Sequence, residues 1–504
     1  MSTPKNPDSP SDHGAVPFTL DARFAEDLPE MAAEWQGEEQ PDPTLVILNE
    51  DLARLLGMDP DWLRTDAGGD FLLGINPTPT TKMVAQGYAG HQFGQFVPSL
   101  GDGRALLLGE AHSTDGVLRD IHLKGSGRTP YSRGADGRSA VGPVLREYII
   151  SEAMAALGVP TTRSLAVITT GRKVQRDMVM PGAVLVRVAS SHIRVGSFQY
   201  ANISGGVDLS RRLADHVIMR HFPHLSGAAE KADGSGGSGE NIISSPQVYS
   251  ALFEAIMQAQ VDTAAKWMRL GFVHGVLNTD NTLVSGETID YGPCAFMERY
   301  RDDAVFSSID RQGRYMFANQ PVILGWNLAR LVETLIPLLG VTPDAGMEQA
   351  QTIMDTYNDR YQQAFHREMA ASLGVDPSRD GVDELIADYL DLLRTHSPDL
   401  TTVNRTLSDW NSDSVAPGGF EDWIQRWLAY GPDFTAMQQI NPVYTPRNHL
   451  VEEALEQAVA GEWDAFHDLL ARVLNPFDRQ AGAEHFEQPS PDGFEENYMT
   501  FCGT

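Results

Sequence analysis

The sequence predicts an α+β protein of two lobes, in which a small mixed lobe at residues 16–200 precedes a large, mainly helical lobe at residues 201–480. Three observations support this prediction. Short β-rich segments with one clear intervening helix fill much of the first part of the chain. Apolar residues then recur at helical spacing over residues 249–270 and over residues 320–480. Finally, 504 residues are more than one compact core usually holds.

A predicted strand and helix in the small lobe carry a lysine and a glutamate. Residues 117–123 alternate apolar and polar side chains, as a half-buried strand does, and lead directly into Lys124. Pro143 then opens a helix, because proline suits the first helical turn, and this helix carries Glu147.

Further strands complete the predicted small lobe. Residues 164–170 and 174–179 are β-rich and flank Gly171-Arg172, which we expect to form a hairpin turn. Residues 183–189 are predicted to form another strand.

Three segments lie outside the regular elements. Residues 1–15 are predicted to be a disordered tail, because their Ser, Pro and Asp residues offer little apolar surface to bury. Residues 226–240 are rich in Gly and Ser and are expected to form a surface loop. Residues 481–504 form a C-terminal tail that contains Cys502.

The composition narrows the range of partners. Asp and Glu outnumber Lys and Arg by 68 to 38, so the formal charge is -30. Such a surface repels nucleic acid and anionic membranes, and we expect neither as a partner. The sequence also lacks a signal peptide and any run of 18 apolar residues, which predicts a cytoplasmic protein. We expect a monomer.

The stretch from His274 to Asn281 reads H-G-V-L-N-T-D-N, and D-Y-G follows from Asp290. A small-molecule kinase of the protein-kinase-like class reads H-G-D-L-x-x-x-N and then D-F-G. Most of the pattern fits, but Val276 occupies the position of the catalytic base, and Asp280 directly precedes the Asn. This order of motifs predicts a protein-kinase-like fold.

Asn281 and Asp290 are the candidate metal ligands. Mg²⁺ prefers oxygen ligands and commonly takes one or two protein groups together with phosphate oxygens and water. Taken alone, each residue could equally form a local Asx turn. Their order and spacing favour the metal site.

Lys124 and Glu147 follow the order of the Lys–Glu ion pair of kinases, in which the lysine holds nucleotide phosphates. An exposed lysine and an unrelated helix glutamate would give the same pattern. The glycine-rich run at residues 125–127 follows the lysine, whereas the glycine loop of kinases precedes it.

Arginines form a further candidate group. Arg104, Arg187 and Arg194 lie on or beside predicted strands, and arginine binds phosphate oxygens in a bidentate manner. Each of them alone could be an ordinary surface residue. Together they predict a triphosphate pocket.

Four motifs identify a family. They are G-Y-A-G-H-Q-F-G-Q-F at 87–96, L-G-D-G-R-A at 100–105, L-K-G-S-G-R-T-P-Y-S-R at 123–133 and H-G-V-L-N-T-D-N at 274–281. The sequence resembles the selenoprotein O family of kinase-like proteins, which transfer AMP instead of phosphate. The resemblance covers about residues 71–310 and returns at the C-terminal tail.

The resemblance implies a protein adenylyltransferase with ATP bound in a flipped orientation relative to kinases. AMP would pass from ATP to a Ser, Thr or Tyr hydroxyl of a protein, and pyrophosphate would be released. Asp280 would be the catalytic base, and Asn281 and Asp290 would bind Mg²⁺ or Mn²⁺. The implied nucleotide-binding residues are Gly101, Gly103, Arg104, Lys124, Asp136, Gly137, Glu147, Arg187, Arg194 and Asp290.

Two other functions remain open at this point. The chain could be a small-molecule or protein kinase that transfers the γ-phosphate, or an inactive pseudokinase scaffold that binds ATP. Val276 argues against the first, and the intact Lys124, Glu147, Asn281 and Asp290 argue against the second. UMP transfer with Mn²⁺ is a further alternative within the family.

The two cysteines also relate to the resemblance. In some bacterial members a tail cysteine bonds a cysteine of the activation segment and suppresses activity. Cys502 matches the tail position, but Cys294 lies about a dozen residues before the other position, where this chain has Phe306. A regulatory disulfide between the two cysteines is therefore a hypothesis, and the alternative is that Cys294 is a small buried residue.

Overall fold

The structure, a computed structural model, describes residues 16–75, 81–176, 178–226 and 245–501. The tail predicted at residues 1–15 lies outside these ranges, as do Cys502 and all but the first residue of the loop predicted at 226–240.

A large antiparallel sheet organises the N-terminal part of the chain. The strands in this part are β1 (Leu20–Asp21), β2 (Ala32–Glu34), β3 (Thr44–Leu48), β4 (Val84–Gln86), β5 (Gly90–Gln92), β6 (Gln95–Val97), β7 (Ala105–His112), β8 (Leu118–Lys124), β9 (Ser139–Ala140), β10 (Arg163–Gln175) and β11 (Val179–Ala189). Within the described residues the sheet has nine strands in the order β2-β4-β7-β8-β11-β10-β3, with β1 paired to β7 and β9 paired to β11. β5 and β6 form a separate hairpin.

The hairpin turn predicted at Gly171-Arg172 is wrong. β10 continues through this dipeptide, and its pairing with β11 shifts register between Thr169 and Lys173. Gly171 has a φ of +68°, which a bulge requires and a regular strand residue avoids. The chain reverses later, where Gln175 pairs with Val179.

Helices cover both faces of the sheet. The helices in this part are α1 (Arg23–Asp27), α2 (Glu50–Leu55), α3 (Pro60–Leu63), α4 (Asp66–Leu72) and α5 (Val141–Ala156). On one face, α2 to α4 bury Leu52 and Leu72 against sheet residues such as Val186. On the other, α5 buries Leu145 and packs it with Leu185 of β11. Burial of each such side chain contributes about 1.5–3 kcal/mol.

Helices dominate the rest of the chain. They are α6 (Val195–His221), α7 (Pro246–Leu270), α8 (Gln320–Leu339), α9 (Pro343–Met354), α10 (Tyr357–Ser372), α11 (Val382–His396), α12 (Leu400–Ser408), α13 (Glu421–Ala429), α14 (Phe434–Gln438), α15 (Asn448–Ala460), α16 (Asp464–Val473) and α17 (Phe494–Asn497). One apolar core runs from α5 through α6, α7 and α8 to α15 and α16. A second core joins α11, α12 and α13. The expected lobe boundary at residue 200 falls inside α6.

The architecture is thus a mixed α/β one, with a large antiparallel sheet and many helices. In the described part of the chain, one helical segment, Phe317–Leu339, is long and apolar enough to cross a membrane. However, 61% of its apolar window is buried inside the protein, as it is in a core helix of a globular protein.

A short strand pair closes the loop that carries the predicted catalytic motif. β12 (Phe272–Val273) pairs with β13 (Ala295–Phe296) in an antiparallel manner. The intervening residues 274–294 therefore leave and re-enter the fold at one point, which fixes both ends of the loop.

The C-terminal segment packs beside this loop. The Thr500 backbone N–H donates to the Phe306 carbonyl (2.7 Å), and its hydroxyl donates to the Pro293 carbonyl (2.7 Å). The Tyr498 hydroxyl bonds Arg146 of α5 at 2.9 Å. The segment thereby ties residues 293–308 to the helix that carries Glu147.

Candidate active site

The predicted site residues lie at one end of β8 and β11 and on the loop between β12 and β13. Lys124 ends β8, and it is paired opposite Leu185 of β11, two residues before Arg187. Because side chains alternate between the faces of a sheet, Lys124 and Arg187 project from the same face. Glu147 of α5 and Asp290 of the loop meet them there.

Two cations and two carboxylates form a closed ring. Lys124 Nζ lies 2.5 Å from Glu147 Oε2 and 2.9 Å from Asp290 Oδ1. Arg187 Nε lies 2.7 Å from Glu147 Oε1, and its Nη2 lies 2.6 Å from Asp290 Oδ1. Glu147 is only 1% exposed, so the ring is held from the protein interior. The ring therefore holds both cations in fixed positions, and the partly exposed Asp290 lies on its solvent side.

Asp290 has an unusual backbone conformation. Its φ is +63°, a left-handed value that Asp and Asn adopt more readily than most residues. Burial acts to raise the pKa of its carboxyl, but the charges of Arg187, Lys124 and Arg194 outweigh burial and hold that pKa well below its usual range. Asp290 is therefore ionised at neutral pH, as a metal ligand must be.

A second buried arginine has unpaired donors. Arg194 is 2% exposed, its guanidinium lies 4.0 Å above the centre of the Tyr88 ring, and its nearest carboxylate oxygen is Asp102 Oδ1 at 3.5 Å. Its Nε and Nη1 atoms donate no hydrogen bond to any described residue. Burying such donors is costly, so this position favours an anionic ligand such as a phosphate.

Asp102 lies beside Arg194 and is held in place by two hydrogen bonds. Its Oδ2 accepts hydrogen bonds from the Gln86 backbone N–H (3.0 Å) and from His122 Nε2 (3.1 Å). Burial acts to raise the pKa of Asp102, but its bonds to His122, the charge of Arg194 and the Gln86 N–H lower that pKa to about 2. A fixed negative charge therefore faces the guanidinium.

Glycines pack the surrounding loops tightly. A Cβ on Gly101 would lie 2.3 Å from the Tyr131 ring, and a Cβ on Gly103 would lie 2.9 Å from the Tyr131 carbonyl oxygen. Gly137 has a φ of +69°, and its Cβ would lie 2.0 Å from the Gly127 carbonyl oxygen. Larger residues at these positions would force the loops apart, so the glycines set the shape of this region.

Two predicted nucleotide residues do not join the ring around Lys124. The Asp136 carboxylate pairs with Arg176 at 3.0 Å and accepts from the Arg138 N–H at 3.1 Å. Arg104 lies in the turn before β7 and forms no ion pair with any described residue. Both residues border the glycine loops.

Asp280 lies on the loop beside these groups and is 8% exposed. Its Oδ2 accepts a hydrogen bond from Gln92 Nε2 at 3.3 Å, while its Oδ1 has no partner among the described residues. Burial raises the pKa of this carboxyl to about 6, against the lowering effect of its hydrogen bonds and of Arg194. A carboxylate with that pKa and an oxygen without a hydrogen-bond partner suits a general base near neutral pH.

The rest of the loop holds Asp280 in place. His274 Nε2 donates to the Ile289 carbonyl at 3.0 Å, and burial lowers the pKa of His274 to about 4, so this imidazole is neutral at pH 7. Val276 is 4% exposed and accepts a hydrogen bond from Asn281 Nδ2 at its carbonyl (2.9 Å). His274 therefore supports the backbone, and Val276 provides no side-chain base.

The oxygen donors of the loop suit a divalent cation. Since the Asn281 amide nitrogen bonds a carbonyl, its Oδ1 remains available, as does Asp290 Oδ2. Two oxygens of this kind match the protein share of a Mg²⁺ or Mn²⁺ site, in which phosphate and water complete the shell. In the described ranges, no group of three or more His, Cys, Asp or Glu could hold a metal by itself.

Sequence reasoning missed Gln92, Asp102 and Tyr88. All three lie in the motifs at residues 87–96 and 100–105, whose glycine and aromatic density indicated close packing but no partner. The β5–β6 hairpin contacts the loop between β12 and β13: the His91 N–H donates to Thr279 Oγ1 at 2.7 Å, next to the bond between Gln92 and Asp280.

Comparisons with known proteins identify the family of the chain. The family model described as protein adenylyltransferase SelO matches residues 17–422. The chain belongs to the SelO family. It is therefore an enzyme of the nucleotidyltransferase class, and a SelO enzyme acts on a nucleotide and a protein target.

Relatives match the SelO chain over nearly its whole length. A protein nucleotidyltransferase YdiU of Corynebacterium efficiens is 69% identical over 504 residues, which is all of both chains. Another, of Corynebacterium glutamicum, is 63% identical over 97% of this chain and 99% of its own. A third, of Mycolicibacterium smegmatis, is 48% identical over 96% of this chain and 98% of its own.

Proposed function

We propose that the protein transfers AMP from ATP to Ser, Thr or Tyr hydroxyls of other proteins and releases pyrophosphate. ATP would bind flipped relative to its orientation in kinases, so that the α-phosphate faces the acceptor hydroxyl.

The protein would have a kinase-like two-lobed architecture, with an N-lobe at 16–200, a C-lobe at 201–480 and a tail at 481–504. We also infer that it acts as a cytoplasmic monomer without nucleic acid or membrane partners.

The observation that carries this proposal is the combination of an unpartnered oxygen and a raised pKa at Asp280. The position of the usual kinase base holds the buried Val276, whereas Asp280 has an oxygen without a hydrogen-bond partner among the described residues and a pKa raised by burial to about 6. In the proposed reaction this oxygen takes the proton of the acceptor hydroxyl. A positioned base contributes about 10²–10⁴-fold to the rate.

The buried cations suit a polyphosphate with its far end inside the protein. Arg187 and Arg194 are 2% exposed, deeper than Lys124 at 8%, and Arg194 has unpaired donors. In the proposal these arginines bind the γ-phosphate and Lys124 bridges toward the α-phosphate. Glu147 orients Lys124 and Arg187 through the bonds described above.

The glycine loops would complete the nucleotide site. Gly101, Gly103 and Gly137 keep the backbone close to the ligand, and Arg104 and Asp136 border the same loops. Asn281 and Asp290 would hold Mg²⁺ or Mn²⁺. When bound, the cation neutralises phosphate charge and stabilises the leaving pyrophosphate.

The proposed reaction is an in-line displacement. The acceptor oxygen forms a bond to the α-phosphorus, and the bond from that phosphorus to the bridging oxygen of the β-phosphate breaks. The hydroxyl proton moves to Asp280, and pyrophosphate leaves with the electron pair of the broken bond. The fixed charges of Lys124, Arg187 and Arg194 favour this step because they need not reorganise.

The test uses ATP labelled on either the α- or the γ-phosphate. Casein and the enzyme itself serve as acceptors, and the wild type is compared with Asp280→Ala. We expect protein label from α-labelled ATP only, reduced about 100-fold or more in the variant. Asp51→Ala is the control, because the Asp51 side chain is 99% exposed on α2.

Other outcomes would support other functions. Protein label from γ-labelled ATP alone would indicate a kinase, and no label from either would indicate an ATP-binding scaffold. Transfer that is equal in the wild type and in Asp280→Ala would exclude Asp280 as the base. The same assay with labelled UTP and with Mg²⁺ or Mn²⁺ decides between AMP and UMP transfer.

A further inference from the structure

The β5–β6 hairpin forms part of a surface beside Asp280. Its turn consists of Phe93 and Gly94, with φ values of +51° and +81°. Its backbone holds the loop through the Phe93 N–H, which donates to Asn278 Oδ1 at 3.2 Å. Its outer strand exposes 42% of Phe96, whose ring lies 4.7 Å from that of His91. The hairpin is thus fixed on its inner side and open on its outer side.

α8 extends this surface. The Trp326 ring lies 5.1 Å from the His91 ring and carries the guanidinium of Arg330 5.0 Å from its centre. Val322, one helical turn earlier, is 68% exposed. Residues four apart share one helix face, so Val322 lies on the same face as Trp326, which contacts His91 of the hairpin.

Arg314 is the distinctive group of this surface. Its guanidinium lies 4.9 Å from the centre of the Trp326 ring, and its Cζ would lie 3.5 Å from a Cβ on Gly94. Its Nε has no hydrogen-bond partner, and the guanidinium pairs with no carboxylate of the described residues. Arg330, in contrast, pairs with Glu333. Arg314 therefore keeps a positive charge beside Trp326 that no described carboxylate neutralises by an ion pair.

The residue next to Arg314 contacts the loop between β12 and β13. The neighbouring Tyr315 donates its hydroxyl hydrogen bond to Asn278, two residues before Asp280. Asp280 itself bonds Gln92 of the hairpin, whereas Lys124 and Arg187 lie on the strands of the large sheet. An acceptor segment that contacts Arg314 would therefore lie close to the loop that carries Asp280.

We propose that the surface formed by Phe96, Arg314, Val322 and Trp326 binds the acceptor protein, and that Arg314 selects a segment with an Asp or Glu side chain within about four residues of the modified hydroxyl. Four extended residues span about 13 Å, which sets the longest distance between the acidic side chain and the modified hydroxyl that the inference allows. Phe96 and Val322 offer apolar contacts to the same segment. This inference rests on the proposed AMP transfer.

The test uses three peptide libraries, in which the acceptor residue is fixed as Ser, Thr or Tyr. In each library the positions within four residues of the acceptor are randomised one at a time. α-Labelled ATP reports transfer by the wild type, Arg314→Gln and Arg314→Glu. We expect the wild type to prefer Asp or Glu over Asn or Gln by about fivefold at one or more positions, as for a partly exposed ion pair. Arg314→Gln should lose this preference, and Arg314→Glu should favour Lys or Arg instead.

Two controls separate recognition from general damage. The KM for ATP and the melting temperature of each variant are measured, and we expect the KM for ATP to stay within about twofold, because Arg314 lies outside the nucleotide site. Arg426→Glu reverses a surface charge on α13, where Arg426 pairs with Asp388. This control should keep the acidic preference of the wild type.

Each remaining outcome is decisive. An acidic preference that survives in Arg314→Glu, or a wild type that transfers AMP without any acidic preference, would overturn the inference. So would transfer to the enzyme itself with none to any library, because the occupant would then be a second copy or the same chain. Absence of all transfer, including self-transfer, would instead refute the proposed function.

Discussion

Asp280→Asn should abolish most activity and yet stabilise the fold. Burial raises the pKa of Asp280 from 3.8 to about 6, so the ionised carboxylate is unfavourable in the folded protein at neutral pH. A difference of about two pKa units corresponds to a free energy of about 3 kcal/mol. For a chain of this length that unfolds as one unit, this equals an increase of about 3 °C in melting temperature.

The stabilisation should depend on pH in a definite direction. The folded protein holds the proton of Asp280 more tightly than the unfolded chain, so the contribution of this residue is most favourable below pH 4 and is lost as the pH rises through about 6. The gain from Asp280→Asn should therefore be largest at pH 7.5, about half as large at pH 5, and close to zero below pH 4. Calorimetric melting of the wild type and the variant across this range measures it.

Asp290→Asn is the matched control, because the same substitution should there have the opposite sign. Its carboxylate pairs with Lys124 and Arg187, and Asn tolerates its left-handed backbone. Loss of that charge should destabilise the protein by about 3 kcal/mol, the lower end for a buried pair because the Asp290 side chain is 25% exposed. If Asp280→Asn melts at or below the wild type at pH 7.5, or if its gain does not shrink with acid, the reasoning on Asp280 is refuted.

Three further variants test separate parts of the site. Gln92→Leu removes a hydrogen bond to the Asp280 carboxylate that is worth about 1 kcal/mol, so the acid limb of the pH profile of kcat/KM should move up by about 0.7 pH units. Transfer should be about threefold lower at pH 6 and almost unchanged at pH 8. An unshifted limb would contradict this role of Gln92. Gly137→Ala should raise the KM for ATP at least tenfold, because the new Cβ would lie 2.0 Å from the Gly127 carbonyl oxygen. Gly134→Ala is the control for backbone strain, since Gly134 also has a positive φ but its Cβ would meet nothing within 4 Å. Arg194→Met should weaken ATP binding about tenfold or more but AMP binding much less, as measured by calorimetry; equal losses for both nucleotides would contradict a contact with the outer phosphates.

The sequence predicted the members of the candidate site more fully than it predicted their contacts. Lys124, Glu147 and Asp290 could be found because a strand end, a helix and a loop each carry them within recognisable local patterns. The contact of Gln92 with Asp280 spans 188 residues, and nothing in either segment indicates it. The role of Asp102 was hidden for the same reason, since its partners come from three distant segments.

Gly171 shows a different limit of local reasoning. A single glycine within a β-rich run is compatible with a turn or with a bulge. The choice depends on whether the neighbouring strand continues past it, and here β11 does so, with Lys173 paired to Pro181. Such pairing is a property of two strands and cannot be read from one of them.

The contact of Thr500 with Phe306 affects how the protein is made. These residues lie 194 positions apart in the chain. At about 5–20 residues per second, a ribosome needs roughly 10–40 s to synthesise that interval. The segment after Asp290-Tyr291-Gly292 must wait that long for its partner, while the sheet with Lys124 and Arg187 is already complete. A nascent chain therefore completes the strands with Lys124 and Arg187 well before Thr500 can bond residues 293 and 306, and any slowing of translation after residue 308 lengthens the period in which these bonds are missing.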